Sequence, residues 1–192
     1  MTWSIERREI EAQRLLLRPF RAAEAETVQR YAGLWDVARM TTRIPHPYPP
    51  GAAAEWICTH AAMETENGES VFAIVLDDEV IGATGLHRAD PKRDGPDTAE
   101  IGYWLAPAFW GRGLATETAQ ALLAHGFTHP KLNAVTSGHF ADNPASGRVL
   151  EKCGFQPTSD TEEWSIARRD YVTCRRFILE RAAWQAGLEL AS

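Results

Sequence analysis

Apolar and polar positions along the chain alternate between two periods, and the changes of period mark out the elements. "RLLLRPF" (residues 14–20) has strand character and is ended by Pro19, whereas "AAEAETVQRYAG" (22–33) has helical spacing closed by Gly33. "RIPHPYPPG" (43–51) is a loop, because its four prolines forbid regular backbone pairing. "AAAEWICTHAAMETENG" (52–68) predicts a second helix, again stopped by glycine. "VFAIVLDDEVIGATGLH" (71–87) gives two β-rich runs around an acidic turn, a hairpin, and "DPKRDGPD" (90–97) an exposed loop before the strand "TAEIGYWL" (98–105). A glycine corner then opens a helix in "APAFWGRGLATETAQALLAHGF" (106–127). "NAVTSGHF" (133–140) is a strand, "NPASGRVLEKC" (143–153) a short helix closed by Gly154, and "DYVTCRRFILE" (170–180) a last long strand. No repeat, low-complexity tract or linker divides this order, which predicts one α+β domain over residues 1–192 with a largely antiparallel first half.

Composition narrows the function. At 192 residues, 44% hydrophobic and 24% charged, the chain is an ordinary globular domain. Its formal charge of −6 argues against non-specific nucleic-acid binding and fits a cationic amine as partner. Arg168–Arg169 and Arg175–Arg176 are local exceptions, read as solvated strand ends. The three cysteines, Cys58, Cys153 and Cys174, are too scattered for a disulfide framework or a metal site, so a reducing cytoplasm and no metal are expected. The start "MTWSIERREIEAQ" has acids and no apolar core, which excludes a signal peptide there, and the longest aliphatic runs are strand-sized, so no membrane partner is expected.

The corner holds the first candidate chemistry. Gly111 and Gly113 at alternate positions let successive N–H groups point one way, and the following helix adds its own unpaired donors and positive dipole end. Such a corner suits phosphate. A dinucleotide fingerprint is a poor match: Thr116 stands where the third glycine belongs, and no acid ends the next strand. A Walker loop is excluded by the missing Gly-Lys-Ser/Thr. A tight strand-to-helix turn without ligand, and a nicotinamide or flavin site resting on the glycine pair alone, remain open at this point.

Two further segments bear on it. Alternation in "TAEIGYWL" sets Ala99, Ile101, Tyr103 and Leu105 on one face and Glu100, Gly102 and Trp104 on the other, so a carboxylate shares a face with an aromatic and a gap. In "NPASGRVLEKCGF", Asn143 has the side chain of an N-cap, Pro144 suits the first helical position and Gly154 the C-terminal cap. Ser146, Val149, Leu150 and Cys153 follow the i, i+3, i+4, i+7 spacing of an inward stripe. An inward hydroxyl there needs a partner.

"AEIGYWL", "FWGRGLATE" and "NPASGRVLEKCGF", in that order and spacing, together with the opening "RLLLRPF", resemble the GNAT acyltransferase superfamily, specifically the Rim-type, ribosomal-protein-alanine N-acetyltransferase-like branch, over roughly Arg14 to Trp184. The resemblance implies a twisted, mostly antiparallel sheet whose middle strands splay into a V that admits the pantetheine arm of acetyl-CoA. It places the pyrophosphate loop on Trp110, Gly111, Arg112, Gly113, Leu114, Ala115 and Thr116, with Trp110 where many relatives carry glutamine or arginine. The backbone N–H groups from Gly102 to Leu105, Trp104 among them, would hold pantetheine and the thioester carbonyl, with Asn143 as cap and further pantetheine contact. Leu150 stands where many relatives carry a tyrosine; in the Rim-type branch a serine replaces it, here Ser146, as proton donor to the leaving thiolate. Glu100 is the expected base, with His139 as its rival or a substrate contact. His46, Tyr48 and His87 are expected along the acceptor wall. The implied function is acetyl transfer to a primary amine, a protein N-terminus or a small molecule, by direct attack in a ternary complex; a homodimer is consistent with the family. A covalent acetyl-cysteine route is disfavoured, since Cys153 belongs to an apolar stripe and Cys58 and Cys174 lack an activating neighbour in sequence. A non-catalytic CoA-binding module of the same fold is the alternative, supported by the missing tyrosine.

Overall fold

A computed structural model of the protein describes residues 8–190, so the first seven residues of the opening stretch lie outside the described part. The described residues fold around one mixed sheet of eight strands in the order β1-β2-β3-β4-β5-β6-β8-β7. These are β1 (Ile10–Glu11), β2 (Leu16–Arg18), β3 (Ser70–Leu76), β4 (Glu79–Arg88), β5 (Thr98–Leu105), β6 (Ala134–Phe140), β7 (Gln156–Ser165) and β8 (Asp170–Glu180). Among the described residues the α-helices are α1 (Ala25–Ala32), α2 (Trp35–Ala38), α3 (Ala52–Ala62, continued by a π-helical turn over Met63–Asn67), α4 (Pro91–Asp94), α5 (Leu114–Gly126), α6 (Pro144–Lys152) and α7 (Arg181–Leu190).

Most elements lie where periodicity puts them. Gly33 caps α1, and Asp77 and Asp78, both at positive φ, turn the β3–β4 hairpin. The segment 90–97 contains one helical turn, α4, capped by the Asp90 side chain on the Lys92 N–H. The sequence pattern shows no sign of β1, β7 or α7. β7 is almost wholly exposed along its length, and a polar strand at a sheet edge carries no alternation to read.

The sheet separates two cores. On one face α5 and α6 pack Leu114, Leu122 and Leu150 against Phe72, Leu86, Ile101 and Val135. On the other, α1 and α3 cover Val28, Ala32 and Ala53, with Trp104 packed among them. Trp104 and Ile101 thus lie on opposite faces, as the alternation in β5 requires.

All neighbouring strands are antiparallel except β5 and β6. That parallel pair is short: Thr98, Ala99 and Glu100 meet Ala134, Val135 and Thr136, and the register stops there. β5 continues to Leu105 along β4, and β6 continues to Phe140 along β8. The sheet therefore opens between β5 and β6 just after Glu100, forming the expected V.

Candidate active site

The phosphate-type corner is built as the glycines require. Gly111 and Gly113 have φ of 73° and 77°, a left-handed conformation that an L side chain adopts at a cost. The first α5 bond runs from the Glu117 N–H to the Gly113 carbonyl, which leaves the N–H groups of Leu114, Ala115 and Thr116 at the open helix end. A Cβ on Gly111 would meet nothing within 4 Å, so the space above the corner is free. The Trp110 indole N–H donates to the Leu105 carbonyl at 2.7 Å, tying the corner to the end of β5. Arg112 is exposed, and its carbonyl accepts from Arg14 at 3.1 Å.

Arg14 reaches the corner through a contact that no local sequence pattern signals. Its Nε pairs with Glu117 at 2.7 Å, and Nη2 lies 3.6 Å from where a Gly113 Cβ would stand. A cation is therefore fixed beside the glycine corner, 99 positions earlier in the chain.

Backbone polarity along β5 follows from two bonds: Ala106 N–H to the Ile81 carbonyl and Ala89 N–H to the Thr98 carbonyl. Antiparallel alternation then turns Gly102 and Trp104 toward β4, and Ile101, Tyr103 and Leu105 toward the gap. Consistently, the Ile101 carbonyl accepts from the Ser137 hydroxyl at 3.0 Å. Of the donors expected from Gly102 to Leu105, those of Tyr103 and Leu105 face the gap. Trp104 is a correction: its N–H belongs to the β4 side, and its ring packs into the α1–α3 core.

On the α6 side, Asn143 accepts from the Ser146 N–H at 3.3 Å, the cap expected of it. The inward Ser146 hydroxyl has its partner in Tyr103, at 3.0 Å between Oγ and the phenol oxygen. Burial pushes the Tyr103 phenol well above its ordinary range, so it stays a protonated donor. Leu150 lies one turn on and is wholly buried. Cys153 is buried nearby, its thiol pushed up to about 12 by desolvation, which removes it as a nucleophile.

The opposite face carries the charges. Glu100 Oε1 accepts from Arg176 Nη1 at 2.8 Å, and Oε2 from Arg93 Nη2 at 3.3 Å. Arg176 is only 7% exposed, which corrects its reading as a solvated strand end. It reaches Glu100 across β6 over Gly138, where a Cβ would stand 3.0 Å from Nη1 and 2.8 Å from Cys174 Sγ. Arg168 is likewise engaged, donating to both oxygens of Asp142 and to the Arg39 carbonyl.

The three acceptor-wall candidates and His139, the rival base or substrate contact, do not converge. His139 is buried under α6, its Nδ1 against the Phe140 carbonyl at 2.8 Å and its ring over Phe177. Gly147 leaves it room, since a Cβ there would stand 2.7 Å from Nε2. It lies on the α6 face, not beside Glu100. His46 bonds the Gly33 carbonyl at 2.9 Å, and with Tyr48, whose phenol burial raises, it lines a shallow groove of about 660 Å³ against α1. Glu100, Ser146 and the glycine corner take no part in that groove. His87 stands directly across from Glu100 in the β4–β5 register, on the same face of the sheet. Among the described residues, no group of three acidic, histidine or cysteine side chains is arranged to hold a metal ion, and no helix is long and apolar enough to cross a membrane.

The family described as the acetyltransferase (GNAT) domain matches residues 14–156. An uncharacterized N-acetyltransferase of Bacillus subtilis (strain 168), YoaA, is 32% identical over 158 residues, covering 77% of this chain and 82% of the relative. A ribosomal-protein-serine acetyltransferase of Escherichia coli (strain K12) is 35% identical over 85 residues, 44% of this chain and 46% of that protein. Among solved structures, Mycobacterium smegmatis RimJ in complex with CoA-disulfide superposes with a TM-score of 0.81 at 19% identity, covering 96% of this chain and 95% of that one. RimL, a ribosomal-protein α-N-acetyltransferase in complex with coenzyme A, superposes with a TM-score of 0.78 at 17% identity, covering 91% and 99%. The chain belongs to the GNAT acetyltransferase family and is an N-acetyltransferase of that family.

Proposed function

We propose that the protein transfers the acetyl group of acetyl-CoA to a primary amine, by direct attack within a ternary complex. The observation that carries this reading is the gap between β5 and β6, which opens at Glu100 and has the glycine corner at its far end. The N–H groups of Leu114, Ala115 and Thr116 and the Arg14 guanidinium would meet the pyrophosphate, and the Tyr103 and Leu105 N–H groups the pantetheine and thioester carbonyl. The coenzyme bound by the RimJ and RimL relatives supports this donor.

The hydroxyl pair supplies the leaving-group chemistry. As the C–S bond breaks, Ser146 donates its proton to the sulfur, held in place by its hydrogen bond with the Tyr103 phenol, which keeps its own proton, and the serine is reprotonated through solvent. The acceptor enters from the Glu100 face of the sheet. The acceptor's class is an amine of a peptide N-terminus or a small molecule; the ribosomal-protein-serine acetyltransferase relative supports the former. Release of free thiol from acetyl-CoA, measured with N-terminal peptides and alkyl amines as acceptors, tests the reading. Amine-dependent release is expected, and saturable acetyl-CoA binding with no release for any amine would leave only a binding module.

A further inference from the structure

Acetyl transfer to an amine requires a proton acceptor, because an alkyl ammonium of pKa ~10.4 is almost wholly protonated at neutral pH. Glu100 is poorly placed to serve, since each of its oxygens already accepts from a guanidinium. Across the β4–β5 ladder from it stands His87, in a hydrogen-bonded pair whose Cα atoms are ~5.5 Å apart. The His87 Nδ1 lies 3.0 Å from Glu69 Oε2. That hydrogen bond also holds the Glu69 carboxyl below its usual range, so Glu69 is an ionised, acceptor-only partner. Nδ1 therefore carries the proton, and the lone pair sits on Nε2.

Nε2 points over bare backbone. It stands 3.0 Å from where a Gly85 Cβ would be, and Gly85 lies opposite Gly102, above which a Cβ would meet nothing within 4 Å. Two facing glycines thus leave an open floor beside the start of the gap, with an imidazole nitrogen at its edge. The His87 side chain is 24% exposed, enough to be reached by an amine and to return a proton to water. The charged groups around it are Glu69 and Arg43 toward β3, Arg88 next to it in β4, and Glu100 with Arg93 and Arg176 across β5.

We propose that His87 is the catalytic base of the acetyl transfer and that Glu69 is its positioning residue. This rests on the acetyltransferase reading of the gap. The ammonium loses one proton to Nε2, and the freed electron pair forms the N–C bond at the thioester carbonyl carbon. The C–S bond then breaks, the thiolate takes a proton from Ser146, and the nitrogen's second proton passes through solvent to restore the Ser146 hydroxyl. Imidazolium returns its proton to solvent, so one proton is released per turnover. Glu100 serves in this scheme to hold Arg93 and Arg176 away from the amine.

The test is kcat/KM against pH for the full chain and for His87→Ala, His87→Gln, Glu69→Gln and Glu100→Gln, with an accepted amine. His87→Ala should lose roughly 10²–10⁴-fold near pH 7 with acetyl-CoA affinity unchanged, recover part of its rate with added imidazole, and approach wild type at high pH. His87→Gln, which keeps the side-chain volume close, should show the same loss should the alanine variant fold poorly. Glu69→Gln should shift the acid limb of the profile, a readout that a purely structural role would not move. An active wild type whose His87 variants keep its pH profile, or whose acid limb vanishes in Glu100→Gln instead, overturns the proposal alone. A wild type that transfers to no amine overturns the acetyltransferase reading and this proposal with it.

Discussion

Replacing Glu100 with alanine leaves the buried Arg176 without its carboxylate partner, and the outcome can be worked from the structure. Arg176 is 7% exposed, and its Nε and Nη2 are buried without a hydrogen-bond partner, so the 2.8 Å bond from Nη1 to Glu100 is its principal compensation. Removing one partner of a fully buried pair costs roughly 3–5 kcal/mol, and of an exposed pair roughly 0–1. Glu100 is 31% exposed, which places this pair between those limits, at about 1–3 kcal/mol. At ~2–4 °C per kcal/mol for a chain of this size, Glu100→Ala should melt roughly 2–12 °C below wild type in a thermal scan at pH 7. The companion variant Arg176→Met removes the stranded cation, a change that is neutral or stabilising at many buried pairs. Glu100→Ala/Arg176→Met should therefore melt above Glu100→Ala. The reasoning is refuted if Glu100→Ala melts within ~1 °C of wild type, or if the two substitutions destabilise additively.

The hydroxyl pair yields a second prediction. Ser146→Ala should lower kcat by roughly 10²–10⁴-fold while changing stability by only ~1 kcal/mol, and Tyr103→Phe should lower it less; unchanged kcat in Ser146→Ala, measured by thiol release, would remove it as proton donor. A third concerns pH and stability. Because its His87 bond holds Glu69 below the ordinary value of 4.5, its stabilising contribution is complete above that value and fades as pH falls through the lower folded one. Glu69→Gln should accordingly narrow the stability difference between pH 7 and acid in denaturant titrations; an equal difference in both proteins would count against the pairing.

Much of this architecture was legible in the chain because its determinants are local. Pro19 ends β2, Gly33 caps α1, Asn143 caps α6, and two-residue alternation correctly separated Glu100 from Tyr103. What stayed hidden depends on contacts distant in sequence. Arg175 and Arg176 read as one exposed basic pair, yet strand alternation turns Arg176 over Gly138 and toward a carboxylate 76 positions away. Tyr103 read as an apolar-face residue, and only the packing of α6 on β5 gives Ser146 its phenol partner. The Glu69–His87 pair was out of reach for a different reason. A two-residue turn at Asp77–Asp78 alone would set Ser70 opposite Gly85, and only a register shift between Ile74 and Val75 moves Ser70 to Leu86 and so brings Glu69 beside His87.

The central claim, that the glycine corner and the gap beside it bind acetyl-CoA, is tested most directly by a thermal-shift titration of wild type and Gly113→Val with acetyl-CoA. At about 100 times the dissociation constant the ligand should stabilise wild type by ~2.7 kcal/mol, a rise of roughly 5–11 °C. Gly113→Val, forced to carry a branched side chain at φ 77° beside Arg14, should melt lower without ligand and gain little from it. A wild type whose melting temperature ignores acetyl-CoA would contradict the account.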